Sequence, residues 1–241
     1  FYSYRFIGLS PVDGGPLFDD YSEQVDLLKN LNKYETFTTV LKPTGKRDPS
    51  MSGSVYNNFI WKRFRANLTL AYSLGAKLRQ SRILAQRPAD DENRFIYSEF
   101  NANRALLNRW KAPGDEKNTI IPAIIGTNQP GYYAYNRHWT QQGGYEGIIF
   151  AETAWDMYDY CDARVVSGNY LKCSNVSVAY VLPEKWLKTV RISRFEATLS
   201  ATNLFTVCSK KLKGQTPTQS VFSQVQLSDR PTISLGFNVS F

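Results

Sequence analysis

The last twelve residues, RPTISLGFNVSF, alternate without a break. Ile233, Leu235, Phe237, Val239 and Phe241 fall on one face of an extended strand, and Thr232, Ser234, Gly236, Asn238 and Ser240 on the other. A period of two predicts a β-strand between one apolar and one polar environment. The pattern recurs upstream. RANLTLAYSLGAKL sets Ala66, Leu68, Leu70, Tyr72, Leu74 and Ala76 against Asn67, Thr69, Ser73 and Lys77. RFEATLSATNLFTV sets Phe195, Ala197, Leu199, Ala201 and Phe205 against Glu196, Thr198, Ser200, Thr202 and Thr206. CSNVSVAYVL and GSVYNNFIW read the same way, and KYETFTTVLK and YSYRFIGL are further strand candidates.

The polar faces of these runs carry Ser, Thr, Asn and Gly with few charges, unlike the Lys- and Glu-rich outer faces of soluble sheets. Each run is about ten residues long, enough for a tilted strand to cross a bilayer. Trp61, Phe64, Tyr72 and Tyr180 stand near strand ends, where an aromatic girdle belongs. Short turns join 54–61 to 65–78 and, more loosely, 170–182 to 195–207. Residues 79–168 and 208–229 form long links. If the last strand descends to the periplasm, both short turns fall on the periplasmic side and both long links outside, the signature of an outer-membrane barrel. The expected fold is all-β: C-terminal strands and long extracellular loops of a transmembrane antiparallel barrel. So few strands do not close a barrel by themselves. FYSYRFIGL also lacks an initiator Met and a signal peptide. A C-terminal or processed piece of a longer protein is therefore expected.

Composition adds mainly exclusions. The net charge of +8 comes from scattered basic residues with no RNA-binding or helix-turn-helix signature, so nucleic acid is not an expected partner. There is a single histidine, His138, and Cys161, Cys173 and Cys208 follow no metal-ligand spacing. Neither an enzyme, a metal site nor a cofactor is expected, and no functionally essential disulfide. Asp19, Asp20, Glu23 and Asp26 lack the calcium-loop pattern. The sequons at Asn67, Asn175 and Asn238 lie inside strand patterns.

Several segments in order resemble the SusC/RagA family of TonB-linked outer-membrane transporters of Bacteroidetes. They are FIGLSPVDGGPLF, GKRDPSMSGSVYNNFIWKRFRANLTLAYSLGAKLR, NRWKAPGDEKNTIIPAI, DARVVSGNYLKCSNVSVAYVLP and SATNLFTV…KLKGQTP, followed by the final strand. The resemblance implies that residues 1–241 are the C-terminal portion of a barrel of about 22 strands, with the plug and TonB box elsewhere. It implies an outer-membrane location and active import of oligosaccharides or peptides. The implied partners are a SusD-like surface lipoprotein acting as lid, the TonB-ExbB-ExbD complex and outer-membrane lipid, in a dimer of SusCD pairs. A passive porin or structural barrel is the competing reading.

Two loops carry the candidate binding residues. In 132–160, Tyr132, Tyr133, Tyr135, Trp139, Tyr145 and Trp155 offer rings that stack on sugars or clasp peptide side chains; the alternative is that they pack the loop itself. In NRWKAPGDE, Arg109, Trp110 and Asp115 read as an ion-paired loop scaffold. The resemblance to outer-membrane proteins makes Phe241 the aromatic terminus read by the barrel-assembly machinery.

Overall fold

A computed structural model describes residues 1–19, 24–83, 104–126, 128–129, 131–132, 135, 153–187, 192–218 and 229–241. The chain divides into two compact units, Phe1–Gly45 with Arg79–Val165, and Lys46–Leu78 with Val166–Phe241.

The first unit is held by short elements. Strand β1 (Tyr2–Ser3) pairs with β4 (Lys42–Pro43), and β2 (Phe6–Leu9) with β3 (Pro16–Phe18), both antiparallel. Between them lie helices α1 (Val25–Lys29) and α2 (Lys33–Val40). Helix α3 (Ala154–Asp159) follows much later. Tyr4, Leu28, Val40, Leu106, Ile121, Met157 and Tyr158 belong to one buried cluster. KYETFTTVLK, expected as a strand, is helix α2. Asn32 Oδ1 accepts the Glu35 N–H at 3.0 Å, and the Glu35 carboxylate accepts the Asn32 N–H at 3.1 Å. This reciprocal cap satisfies two helix-end donors and outweighs the β-branched composition. Thr36 and Val40, four apart, form the buried face.

The second unit is built on one antiparallel sheet. Its strands are β5 (Met51–Trp61), β6 (Phe64–Leu74), β9 (Tyr170–Val181), β10 (Arg194–Thr202), β11 (Thr206–Cys208) and β12 (Thr232–Ser240), with β7 (Lys77–Arg79) and β8 (Val165–Ser167) numbered between β6 and β9. The order β5-β6-β9-β10-β12 follows the sequence, and β11 pairs with β9 off this path. The expected run 65–78 ends at Leu74 because Gly75 turns the chain at φ +87°. The run 195–207 is broken in the same way by Asn203 at φ +53°. β11 then resumes pairing with β9 one residue out of step, from Thr202↔Asn175 to Thr206↔Lys172. β6 and β9 shift register at the same height, between Thr69 and Leu70. Bulges at one level on both sides of β9 bend the sheet there.

Cross-strand partners share a face, so the register defines two surfaces. One row runs Phe59–Ala66–Val178–Leu199–Leu235, and another Trp61–Phe64–Tyr180–Ala197–Phe237. The opposite face carries Asn58–Asn67–Ser177–Ser200–Ser234. The apolar face is open: Phe59, Leu199 and Leu235 are 63%, 52% and 63% exposed. An uncovered apolar surface spanning five strands marks a contact with something other than water. Cys161 and Cys173 are buried, and all three cysteines are free thiols.

Candidate functional site

The described part of the aromatic loop meets the tight turn between β2 and β3 through Tyr135. The Ser10 carbonyl accepts the Gly14 N–H and the Ser10 N–H donates to the Gly15 carbonyl, each at 2.8 Å. Asp13 Oδ1 accepts both the Gly15 N–H, at 3.1 Å, and the Tyr135 hydroxyl, at 2.9 Å. The two glycines are floors for aromatic rings. A Cβ on Gly14, which sits at φ +71°, would lie 2.3 Å from Trp110, and one on Gly15 would lie 1.9 Å from Tyr135. Trp110 and Tyr132 are buried with Leu9, Ala123, Ile125 and Trp155 in a single cluster. Tyr135 packs on Trp155 with ring centroids 5.8 Å apart. Burial, with Asp13 second, pushes the Tyr135 phenol up to about 12.

Tyr132 and Trp155 are therefore core residues, 3% and 2% exposed, and Tyr135 is half-buried at the edge of that core. Tyr133, Trp139 and Tyr145 lie outside the described residues. Among the described residues, the 109–116 segment is held by hydrogen bonds to the backbone and between side chains. Asp115 Oδ2 accepts the Lys111 and Ala112 N–H groups at 3.0 and 3.1 Å, and the Arg109 guanidinium donates to the Leu106 carbonyl at 3.2 Å. Glu116 accepts the Gly114 N–H at 2.7 Å and the Trp110 indole N–H at 3.3 Å. Amide donors, its own N–H foremost, hold the Glu116 carboxyl below the usual range. Of the acidic cluster, Asp19 pairs with Arg5 at 3.7 Å, and Asp20 and Glu23 lie outside the described residues.

Sequence reasoning missed the buried charges of this unit. Arg164, 1% exposed, lies with Nε 3.6 Å from Asp159 Oδ1 and its guanidinium 5.2 Å from the Tyr158 ring centroid, and donates to the Ser81 carbonyl. Burial pushes the Asp159 carboxyl up, and the Arg164 charge pulls it back. Arg79 donates to the Tyr2 carbonyl and the Ser3 hydroxyl, both at 2.9 Å, and stacks on Phe1 and Tyr160. Asp162 accepts the Phe6 N–H at 3.0 Å, fixing the start of β2. The DAR triplet is visible in sequence, but nothing in its spacing foretells a guanidinium in a core.

In the second unit the polar face carries its own hydrogen bonds. The Tyr56 hydroxyl donates to Asn67 Oδ1 at 3.0 Å, and Asn67 Nδ2 donates to the Ser177 hydroxyl at 3.3 Å. Opposite it, the apolar face ends at the short-turn side in Trp61, Phe64 and Tyr180, with Phe195 against Phe237. Phe241, just beyond β12, is 91% exposed.

No protein-family model matches the sequence, and no curated protein matches it. Solved structures do. A chain of the RagAB peptide importer in the 'open-open' state aligns with a TM-score of 0.59 at 19% identity, covering 100% of this chain and 22% of that one. Chains of the RagAB peptide transporter and of the importer in the 'closed-closed' state give 0.58 at 17% and 0.60 at 18%, again over 100% of this chain and 23% of theirs. The fold is that of a stretch of a RagAB chain. At these identities the likeness is one of fold, and the chain spans less than a quarter of the length of those it matches.

Proposed function

We propose that residues 1–241 are the C-terminal part of a SusC/RagA-type outer-membrane transporter that imports oligosaccharides or peptides. The observation that carries this reading is the open apolar face of a sequential antiparallel sheet whose other face is uncharged over most of its length. A membrane wall needs one side for lipid and one for a wet lumen. The likeness over the whole chain to RagAB structures supports the same reading.

The strand order is consistent with both short turns lying at one end of the sheet. Arg63 and Glu184, at the short turns, line one cavity at one end of the sheet, assigned here to the periplasm. Within the aromatic loop, solute contact is assigned to Tyr135 with Tyr133, Trp139 and Tyr145, because Tyr132 and Trp155 are buried. Trp110 and Asp115 keep a scaffolding role, as does Arg109. Energy reaches the barrel from TonB-ExbB-ExbD through parts of the protein outside this chain. A SusD-like surface lipoprotein closes over the substrate, in a dimer of such pairs. Phe241 serves barrel assembly.

Uptake of labelled oligosaccharides and peptides by cells with and without the full-length gene tests this. Gene-dependent uptake of one class, abolished by a protonophore, is the expected result. Gene-dependent uptake that persists without the proton-motive force would mark a passive pore instead.

A further inference from the structure

The polar face of the sheet carries little charge over its middle: Lys172 pairs with Asp229 toward one end, and the short-turn end holds a cavity of about 380 Å³. Glu196 on β10 is its centre. The Glu196 side chain is only 13% exposed, with Arg194 Nη2 at 2.6 Å and Arg65 Nη1 at 3.9 Å. Arg65 belongs to β6, two strands away. It stands opposite Ala179 of β9, which in turn stands opposite Thr198 of β10. The small side chain of Ala179 leaves the path open for Arg65 to cross β9. One carboxylate thus gathers two guanidiniums that would otherwise repel each other. Both remain about half exposed, at 48% and 53%, with donors to spare.

The lining as a whole has an excess of positive charge. Lys62, Arg63, Arg65 and Arg194 face Glu184 and Glu196, four cations to two carboxylates. Ile60, Val181 and Leu187 supply apolar wall beside them. A bare inorganic anion would use the guanidiniums and leave that wall idle, whereas an Asp or Glu side chain uses both. The chain spans only 22–23% of the length of its structural matches, and on the proposed reading the remainder of such a protein is outside it.

We infer that this cavity is a socket for a carboxylate side chain of the same protein, contributed by polypeptide outside residues 1–241. The inference rests on the reading of the sheet as one wall of a closed barrel with its polar face inward. The carboxylate docks between Arg65 and Arg194, and its methylenes lie against Ile60 and Val181, the cross-strand partners of Arg65 and Glu196.

The test uses the full-length protein purified in detergent, with Arg63→p-benzoyl-phenylalanine as a photo-cross-linker and mass spectrometry to map the product. The expected cross-link joins residue 63 to the same polypeptide outside 1–241, beside an Asp or Glu. Arg65→Glu with Arg194→Glu lowers its yield about fivefold, as loss of roughly 1 kcal/mol of docking would. The Lys pair at both positions retains most of it. Cross-links confined to residues 1–241, including 188–191, or indifferent to charge reversal, overturn the socket. So does displacement by inorganic phosphate alone, which would mark a small-anion site. Heat-modifiable gel migration reports barrel closure separately: a closed barrel without the cross-link refutes the socket alone, and failure to close refutes the barrel reading with it.

Discussion

Gly14 and Gly15 show how single residues set the loop architecture. Gly15 has no room for a methyl group, because its Cβ would stand 1.9 Å from the Tyr135 ring. Gly15→Ala is expected to cost about 2–3 kcal/mol through overpacking, read as faster limited proteolysis of the loop unit in the full-length protein. Gly126→Ala, with nothing among the described residues within 4 Å of its Cβ, is expected to change stability by less than about 0.5 kcal/mol. Tyr158 gives the pH dependence. Burial raises its phenol to about 12, so the folded state keeps the proton that an unfolded chain releases near 10. Its contribution is intact below pH 10 and is lost as pH rises from there through 12, on the order of 2–3 kcal/mol in all. Its hydroxyl is buried without a hydrogen-bond partner among the described residues. Tyr158→Phe should therefore be neutral or slightly stabilising at pH 8 and should flatten the alkaline limb of the denaturation midpoint. A steep loss at pH 8 would show that the hydroxyl is bonded.

At the scale of elements, the two faces of β12 should respond oppositely. Leu235→Arg places a charge on the apolar face and is expected to cost about 2–4 kcal/mol of barrel stability, whereas Ser234→Arg on the other face costs little. Urea midpoints of the full-length protein in lipid vesicles give the comparison. The alternation that defines these faces is legible in sequence because each strand meets two different surroundings, and the strands of the sheet follow it. What sequence leaves hidden has physical causes. Lys33–Val40 reads as a strand when Tyr34, Phe37, Thr38 and Thr39 are weighed by β-propensity alone, but the NKYE capping box at its start decides for helix. The ends of β6 and β10 depend on Gly75 and Asn203 adopting positive φ, which alternation does not encode. The packing of Trp110 and Tyr135 over the Asp13–Gly14–Gly15 turn joins residues about a hundred positions apart, and no local pattern carries that pairing.

For the whole molecule, the loop directions are open to labelling. Cysteine at position 46, 113 or 211 of the full-length protein should react with an impermeant reagent on intact cells, and cysteine at 63 or 184 should not. Strong labelling at 184 would reverse the topology. The central claim is that lipid covers the apolar face. A nitroxide scan of residues 232–240 in the full-length protein, reconstituted in bilayers, tests it most directly. Oxygen accessibility is expected to peak at 233, 235, 237 and 239, with a polar nickel relaxer peaking at the positions between. Nickel access equal to oxygen access at the odd positions would place that face in water and not in lipid.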